Sequence, residues 1–245
     1  MQSALLSRMS TKPLAQQVVT GANGAESANA QDGAVRPRDS LFHWCGTADS
    51  LRRTNDRGAR CSLLEAYFGA VAEESIAPAA RYFLGSVLPA REGRRLGVDS
   101  SLIEQAIRDL THLSTRALRA RTREYGDLAA AAADVFAGRL PSGVSIIDVV
   151  RWADEMADAN DATERRTVLR DMFARLSALE AQYVVRLLGG ELQIGVDEAL
   201  IEEALATAFS QPLDAVRRAA ALRGDIGEVA ALARRRMLTP LSAAV

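Results

Sequence analysis

Leu96–Asp109 reads LGVDSSLIEQAIRD, and Ile194–Thr207, 98 residues later, reads IGVDEALIEEALAT. Extended without a gap, 94–133 against 192–231 leaves thirteen of forty positions identical. Gly97/Gly195, Val98/Val196, Asp99/Asp197, Arg119/Arg217, Gly126/Gly224 and Asp127/Asp225 are among them. A gapless match of this length marks an internal duplication, and its period is too long for solenoid repeats of roughly 20–50 residues. Both copies follow one plan. A Gly turn precedes an Asp that can cap a helix by accepting a backbone N–H. The helix then buries a Leu-Ile-x-x-Ala stripe, as at Leu102, Ile103 and Ala106. Breaks are expected at 111–115 and 210–212. A second helix runs through Arg119 or Arg217 and stops at Gly126 or Gly224. Asp127 or Asp225 caps the next.

Upstream of the copies lie amphipathic pairs, 60–73 with 77–89 and 144–158 with 162–188. Hydrophobic residues make up 48% of the 245-residue chain but aromatics only 5%. Strand-length β-branched runs are nearly absent, while Ala and Leu, good helix formers, dominate. The expected fold is all-α: a pseudo-two-fold duplicated helical bundle with two lobes of about four to five helices. The first lobe covers 41–140 and the second 141–238, jointed at Pro141-Ser142-Gly143. Residues 1–40 are rich in Ala, Gly, Gln, Asn and Ser without sustained periodicity, as in a disordered tail.

The formal net charge is −1, so no overall basic signature points to nucleic acid. Lys12 is the sole lysine, so no later residue can act as a lysine nucleophile. His43, His112, Cys45 and Cys61 are too few and badly spaced for a zinc site, and the thiols read as free in a reducing, cytoplasmic setting. No apolar run approaches the roughly 18 residues of a membrane span.

Two Gly turns opening helices can present backbone N–H groups to phosphates. Arginines gather nearby: Arg91, Arg94 and Arg95; Arg116, Arg119 and Arg123; Arg217, Arg218 and Arg223; Arg234, Arg235 and Arg236. The alternative is that the glycines make tight turns only and the arginines form a solvated face.

The series RTNDRGARCSLLEAYF, REGRRLGVDSSLIEQAI and REYGDLA, followed by RLLGGELQIGVDEALIEEAL and RGDIGEVA, resembles the N-terminal domain of ATP-dependent DNA ligases over about 50–237. The resemblance implies a domain that sits over the minor groove of nicked duplex DNA and holds its backbone. By that resemblance the contact candidates are Gly97 and Val98, Gly195 and Val196, and, at a helix start, Arg52, Arg53, Thr54 and Asn55. Two related lobes would grip two sides of a near-two-fold duplex, reading shape rather than bases. Many relatives carry a second Gly after Gly-Val, where this chain has Asp99 and Asp197. The amides before each Asp are therefore the better candidates.

In the family, ligation in repair, replication or recombination uses ATP, Mg²⁺ and a Lys-x-Asp-Gly lysine. That motif is absent here. The chain is expected to be the front part of a ligase, with 239–245 a truncated linker and a catalytic domain supplied in cis or in trans. By itself it carries no catalytic residue and needs no cofactor. The rival reading is a non-catalytic helical scaffold for protein interaction, whose arginines would be scattered rather than gathered. Paired carboxylates of an independent enzyme, Asp99 with Glu104 and Asp197 with Glu202, are explained more simply by capping and solvation.

Overall fold

Small polar side chains set most of the helix starts. The computed structural model describes residues 37–238. Helix α1 (Leu41–Arg53) begins at Ser40, whose hydroxyl accepts the His43 N–H at 3.2 Å. Helix α2 (Arg57–Ala70) begins at Asp56, which accepts from Ala59 at 2.6 Å. Helix α3 (Glu73–Phe83) has no cap of its own. Buried Asp39, in the 3-10 turn Pro37–Asp39, accepts the Ala72 N–H at 2.6 Å instead. Asp99 opens α4 (Ser100–Thr111), Ser114 opens α5 (Thr115–Tyr125) and Asp127 opens α6 (Leu128–Val135).

The second half repeats this order. Ser145 caps α7 (Ile146–Asp158) and Asp161 caps α8 (Ala162–Ala174). Ser177 caps α9 (Ala178–Leu188), and Asp197 caps α10 (Glu198–Ala208). Then follow α11 (Leu213–Arg223), behind Pro212, and α12 (Ile226–Arg234), capped by Asp225. The described residues are thus all-helical, with six helices on each side of 141–143. The stretch 162–188 is two helices, not one, because Ser177 and Glu180 form a capping box that starts α9. The pair expected at 60–73 and 77–89 lies earlier, at 57–70 and 73–83; Pro78 is inside α3 rather than near its start.

Of the tail expected over 1–40, residues 1–36 lie outside the described residues, as do linker residues 239–245, whereas Pro37–Asp39 form a 3-10 turn and Ser40 caps α1. Arg234 belongs to the last turn of α12. Its guanidinium donates to the Phe68 and Val71 carbonyls at the end of α2, where a helix dipole favours a cation.

The two halves exchange contacts. Helix α2 packs on α10 and α4 on α8; α3 packs on α12 and α6 on α9; α1 packs on α9 and α7 on α3. In every case the partners come from opposite halves, and each pair has its counterpart. Ion pairs repeat the pattern. Arg81 of α3 meets Asp225 at 2.9 Å, and Arg186 of α9 meets Asp127 at 2.7 Å. The chain segments entering α1 and α7 form an isolated antiparallel bridge, Ser40 with Ser145, and the Leu41 N–H donates to the Val144 carbonyl at 2.8 Å. Both serines are helix caps 105 residues apart. An antiparallel contact between equivalent residues is what a local two-fold axis produces. His112 and Ser210, 98 residues apart, both end a helix region with left-handed backbone (φ 58° and 53°). These features are compatible with the duplication read from the sequence.

One apolar core runs through both halves. Around α1 it is aromatic: Trp44 lies against Tyr82, Phe83 and Tyr183, with ring centroids 5.2–6.4 Å apart. Between the halves, Phe136 after α6 stacks on Phe173 of α8 at 6.0 Å. Burial of each large apolar side chain contributes about 1.5–3 kcal/mol.

Candidate nucleic-acid interface

The repeated carboxylates are occupied by structural work. Asp99 accepts the Leu102 N–H at 2.8 Å and Asp197 accepts the Leu200 N–H at 2.7 Å. Glu104 pairs with Arg119 and Glu202 with Arg217, each at 3.7 Å. Identity at these three pairs of positions is therefore explained by caps and by one ion pair made twice. Burial, followed by the charge of Glu198, raises the Glu202 pKa above its ordinary value.

Both turns ahead of the caps adopt left-handed backbone, with φ 63° at Gly97 and 69° at Gly195. A side chain here costs about 1–2 kcal/mol for conformation alone. Gly97 and Gly195 are exposed, whereas Val98 and Val196 are half-buried and pack against the core. The valines anchor the turns; the glycines face outward.

Over each glycine lies an arginine from the other half. A Cβ on Gly195 would come within 2.6 Å of the Arg60 guanidinium carbon and both its terminal nitrogens. Arg60 donates Nε to the Thr54 carbonyl (2.5 Å) and Nη1 to the Gly195 carbonyl (2.9 Å). A Cβ on Gly97 would meet Arg165 Nε at 2.7 Å. Arg165 donates Nε to the Met156 carbonyl (3.1 Å) and Nη2 to the Ala159 carbonyl (2.6 Å). Arg60 and Arg165 occupy the same fourth position of α2 and α8, behind Asp caps. Neither was singled out from the sequence. They stand 105 residues apart, outside the segments that align at 98, so the gapless comparison passes over them.

The candidates separate into two places. Arg60 joins the turn after α1, which holds Thr54, to the Gly195-Val196 turn. Gly97-Val98 lies instead with the end of α7, which holds Met156 and the C-cap Ala159. Arg52 and Arg53 are not at a helix start: they form the last turn of α1, with Thr54 as its C-cap. The first N–H groups of α2 lie behind Asp56. Arg53 pairs with Asp49 at 2.7 Å and is 72% exposed. Arg52 donates to the Tyr183 hydroxyl (3.3 Å) and to Asp49 (3.2 Å), and these bonds hold its pKa above the ordinary arginine value. Burial, with the Asp49 hydrogen bond, pushes the Tyr183 pKa up to about 12. Asn55 is exposed. Arg57 reaches across to Glu203 (3.1 Å) and Asp197 (3.5 Å) on α10.

The clusters seen in the sequence dissolve on folding. Arg91 pairs with Glu228, Arg94 with Asp154 and Asp158, and Arg235 with Glu73. Among the described residues no group of three or more His, Cys, Asp or Glu is placed to hold a metal ion, and no helix is long and apolar enough to cross a membrane.

The described residues form an all-helical domain in which a Gly-Val-Asp turn twice opens a helix, each time under an arginine of the opposite half. The chain belongs to the family described as DNA ligase N terminus, whose model matches residues 41–206. It is similar to a probable DNA ligase of Opitutus terrae, 28% identical over 231 residues, covering 80% of this chain and 23% of that protein. A probable DNA ligase of Koribacter versatilis is 29% identical, with 76% and 33% covered. A DNA ligase of Methanoculleus marisnigri is 30% identical, with 66% and 31% covered. The chain spans about a quarter to a third of the length of these relatives.

Proposed function

We propose that residues 40–238 form one DNA-binding domain of an ATP-dependent DNA ligase, which holds nicked duplex DNA through its sugar-phosphate backbone. The family match over 41–206 carries this reading. The exposed Gly97 and Gly195 turns support it, because each lies just ahead of a helix start with a guanidinium over its glycine. The α1–α2 turn, with Arg52, Arg53, Thr54 and Asn55, supplies cationic and polar donors beside the Gly195 turn. The domain would act with a ligase catalytic domain, in cis or in trans, in repair, replication or recombination, in the cytoplasm. ATP and Mg²⁺ belong to that catalytic part: the residues of this chain do not fit them. Its one lysine, Lys12, is followed by Pro13 and Leu14 rather than by x-Asp-Gly, and no carboxylate cluster among the described residues suits a metal.

The scaffold reading has one observation in its favour, the pairing of half of the clustered arginines with carboxylates. Fluorescence anisotropy with a labelled nicked duplex separates the two. Backbone-directed binding gives Kd values of about 10⁻⁴–10⁻⁶ M at physiological salt and weakens steeply as salt rises. No binding at low salt would leave the scaffold reading ahead.

A further inference from the structure

We infer that Arg60 and Arg165 are reciprocal positioning residues, each fixing the Gly-Val-Asp turn of the opposite half. The functional side of this inference rests on the DNA-binding reading above; its structural side does not. Three observations converge. The two arginines hold the same place in α2 and α8, one turn behind Asp56 and Asp161. Each donates to the carbonyl two residues before its helix cap, Thr54 or Ala159. Each fills the space that a Cβ would take on Gly195 or Gly97, at 2.6 Å and 2.7 Å.

The glycine is thus needed for an arginine inside the protein as well as for any ligand outside it. A planar guanidinium lies flat over the glycine while its fork reaches carbonyls on the neighbouring turn, a geometry that a lysine ammonium cannot copy. Arg60 also grips the Gly195 carbonyl itself and so sets the peptide plane between Gly195 and Val196. The amides that lead into α10 are held by a residue of the first half, and those that lead into α4 are packed under a residue of the second. Both phosphate grips then depend on the joining of the two halves.

The test uses the full chain with Arg60→Ala, Arg60→Lys and Arg165→Ala. Hydrogen–deuterium exchange is read first, without DNA. Arg60→Ala should speed exchange in 192–198 and leave 94–100 unchanged, and Arg165→Ala should do the reverse. Exchange unchanged in both turns, or raised equally throughout, overturns the inference. If Arg60→Ala fails to fold, Arg60→Lys carries the same readout. Anisotropy on the nicked duplex follows. Arg60→Ala and Arg60→Lys should each weaken binding about five- to tenfold, the worth of about one hydrogen bond, with the salt slope unchanged. A slope reduced by about 0.9, or full rescue by Arg60→Lys, would make Arg60 a direct phosphate contact and overturn the positioning role. A wild type that does not bind DNA sinks the proposed function alone, because the exchange result still decides whether the arginines position the turns.

Discussion

The two Gly-Val-Asp turns are written alike and held differently. At Gly195 the overlying Arg60 bonds the turn's own carbonyl; at Gly97 the overlying Arg165 bonds only Met156 and Ala159 behind it. The segment beside Gly195 is Arg52-Arg53-Thr54-Asn55, and its counterpart 105 residues on is Ala157-Asp158-Ala159-Asn160. The chain ahead of Gly97 also carries seven more residues than that ahead of Gly195, since the offset between halves falls from 105 to 98 there. That extra stretch holds the 3-10 turn Ala90–Glu92 and ties Arg91 and Arg94 to α12 and α7. The two halves share four of six cap types, the crossing ion pairs and the crossed packing, while charge and turn restraint differ. The surface around the two turns is asymmetric: firm and basic at Gly195, looser and more acidic at Gly97.

The largest expected difference between the halves lies in their crossing ion pairs. Arg81 and Asp225 have side chains only 15% and 3% exposed, whereas Asp127, the partner of Arg186, is 40% exposed. Arg81→Ala strands a buried carboxylate that also caps α12, and should cost about 3–5 kcal/mol. Arg186→Ala leaves Asp127 open to water and should cost less, about 1–2 kcal/mol, between the values for buried and exposed pairs. Urea unfolding measures both. Equal losses would break the comparison, because the halves would then depend equally on their crossing contacts.

A double-mutant cycle sharpens it further. Gly190 and Gly195 both have left-handed backbone, but a Cβ on Gly190 meets nothing within 4 Å. Gly190→Ala should therefore lose about 1–2 kcal/mol for backbone conformation. Gly195→Ala should lose about 1 kcal/mol more, because Arg60 must give up its hydrogen bonds. In an Arg60→Ala background that excess should vanish, whereas additivity of Gly195→Ala and Arg60→Ala would show no coupling between them.

Much of the frame was legible because caps are local chemistry. Asp99, Asp127, Asp197 and Asp225 announce their helices by residue type, and each accepts the expected N–H. Gly126 and Gly224 end theirs as left-handed caps. The Ser177–Glu180 capping box is equally local and was readable, but the amphipathic periodicity across 162–188 concealed it. The site was less legible for a different reason. Arg60 is separated from Gly195 by 135 residues, and no periodicity connects a helix residue to a distant turn. The arginine clusters misled in the same way: adjacency in sequence gave no hint of the carboxylates that fold against them.

The smallest predicted effect compares the starts of α1 and α7. Their caps, Ser40 and Ser145, are counterparts, but the third helical residue is His43 in one and Asp148 in the other. Asp148 completes a capping box. Burial alone would raise its pKa, but the Ser145 hydrogen bonds together with Arg175 and Arg151 outweigh that and lower it. A depressed carboxylate pKa gives stability that is present above the unfolded value and lost as pH falls through the folded one. His43 is also depressed, mainly by burial and then by the charge of Arg38, against an opposing pull from Asp39; its ring stacks on Tyr67 at 5.5 Å. For a base this means that the unfolded chain takes up the proton first. Stability is therefore full above the ordinary value of about 6.5 and declines as pH falls from there toward the folded pKa. Because the site is half open to water, the loss should be no more than about 0.5 kcal/mol. His43→Asn should flatten stability just below pH 6.5 and leave the limb below pH 4 in place. Asp148→Asn should do the opposite. Urea midpoints across the two windows read both variants; if His43→Asn leaves the higher window unchanged, the start of α1 is not a site of pH linkage, and the two helix starts differ only in the carboxylate.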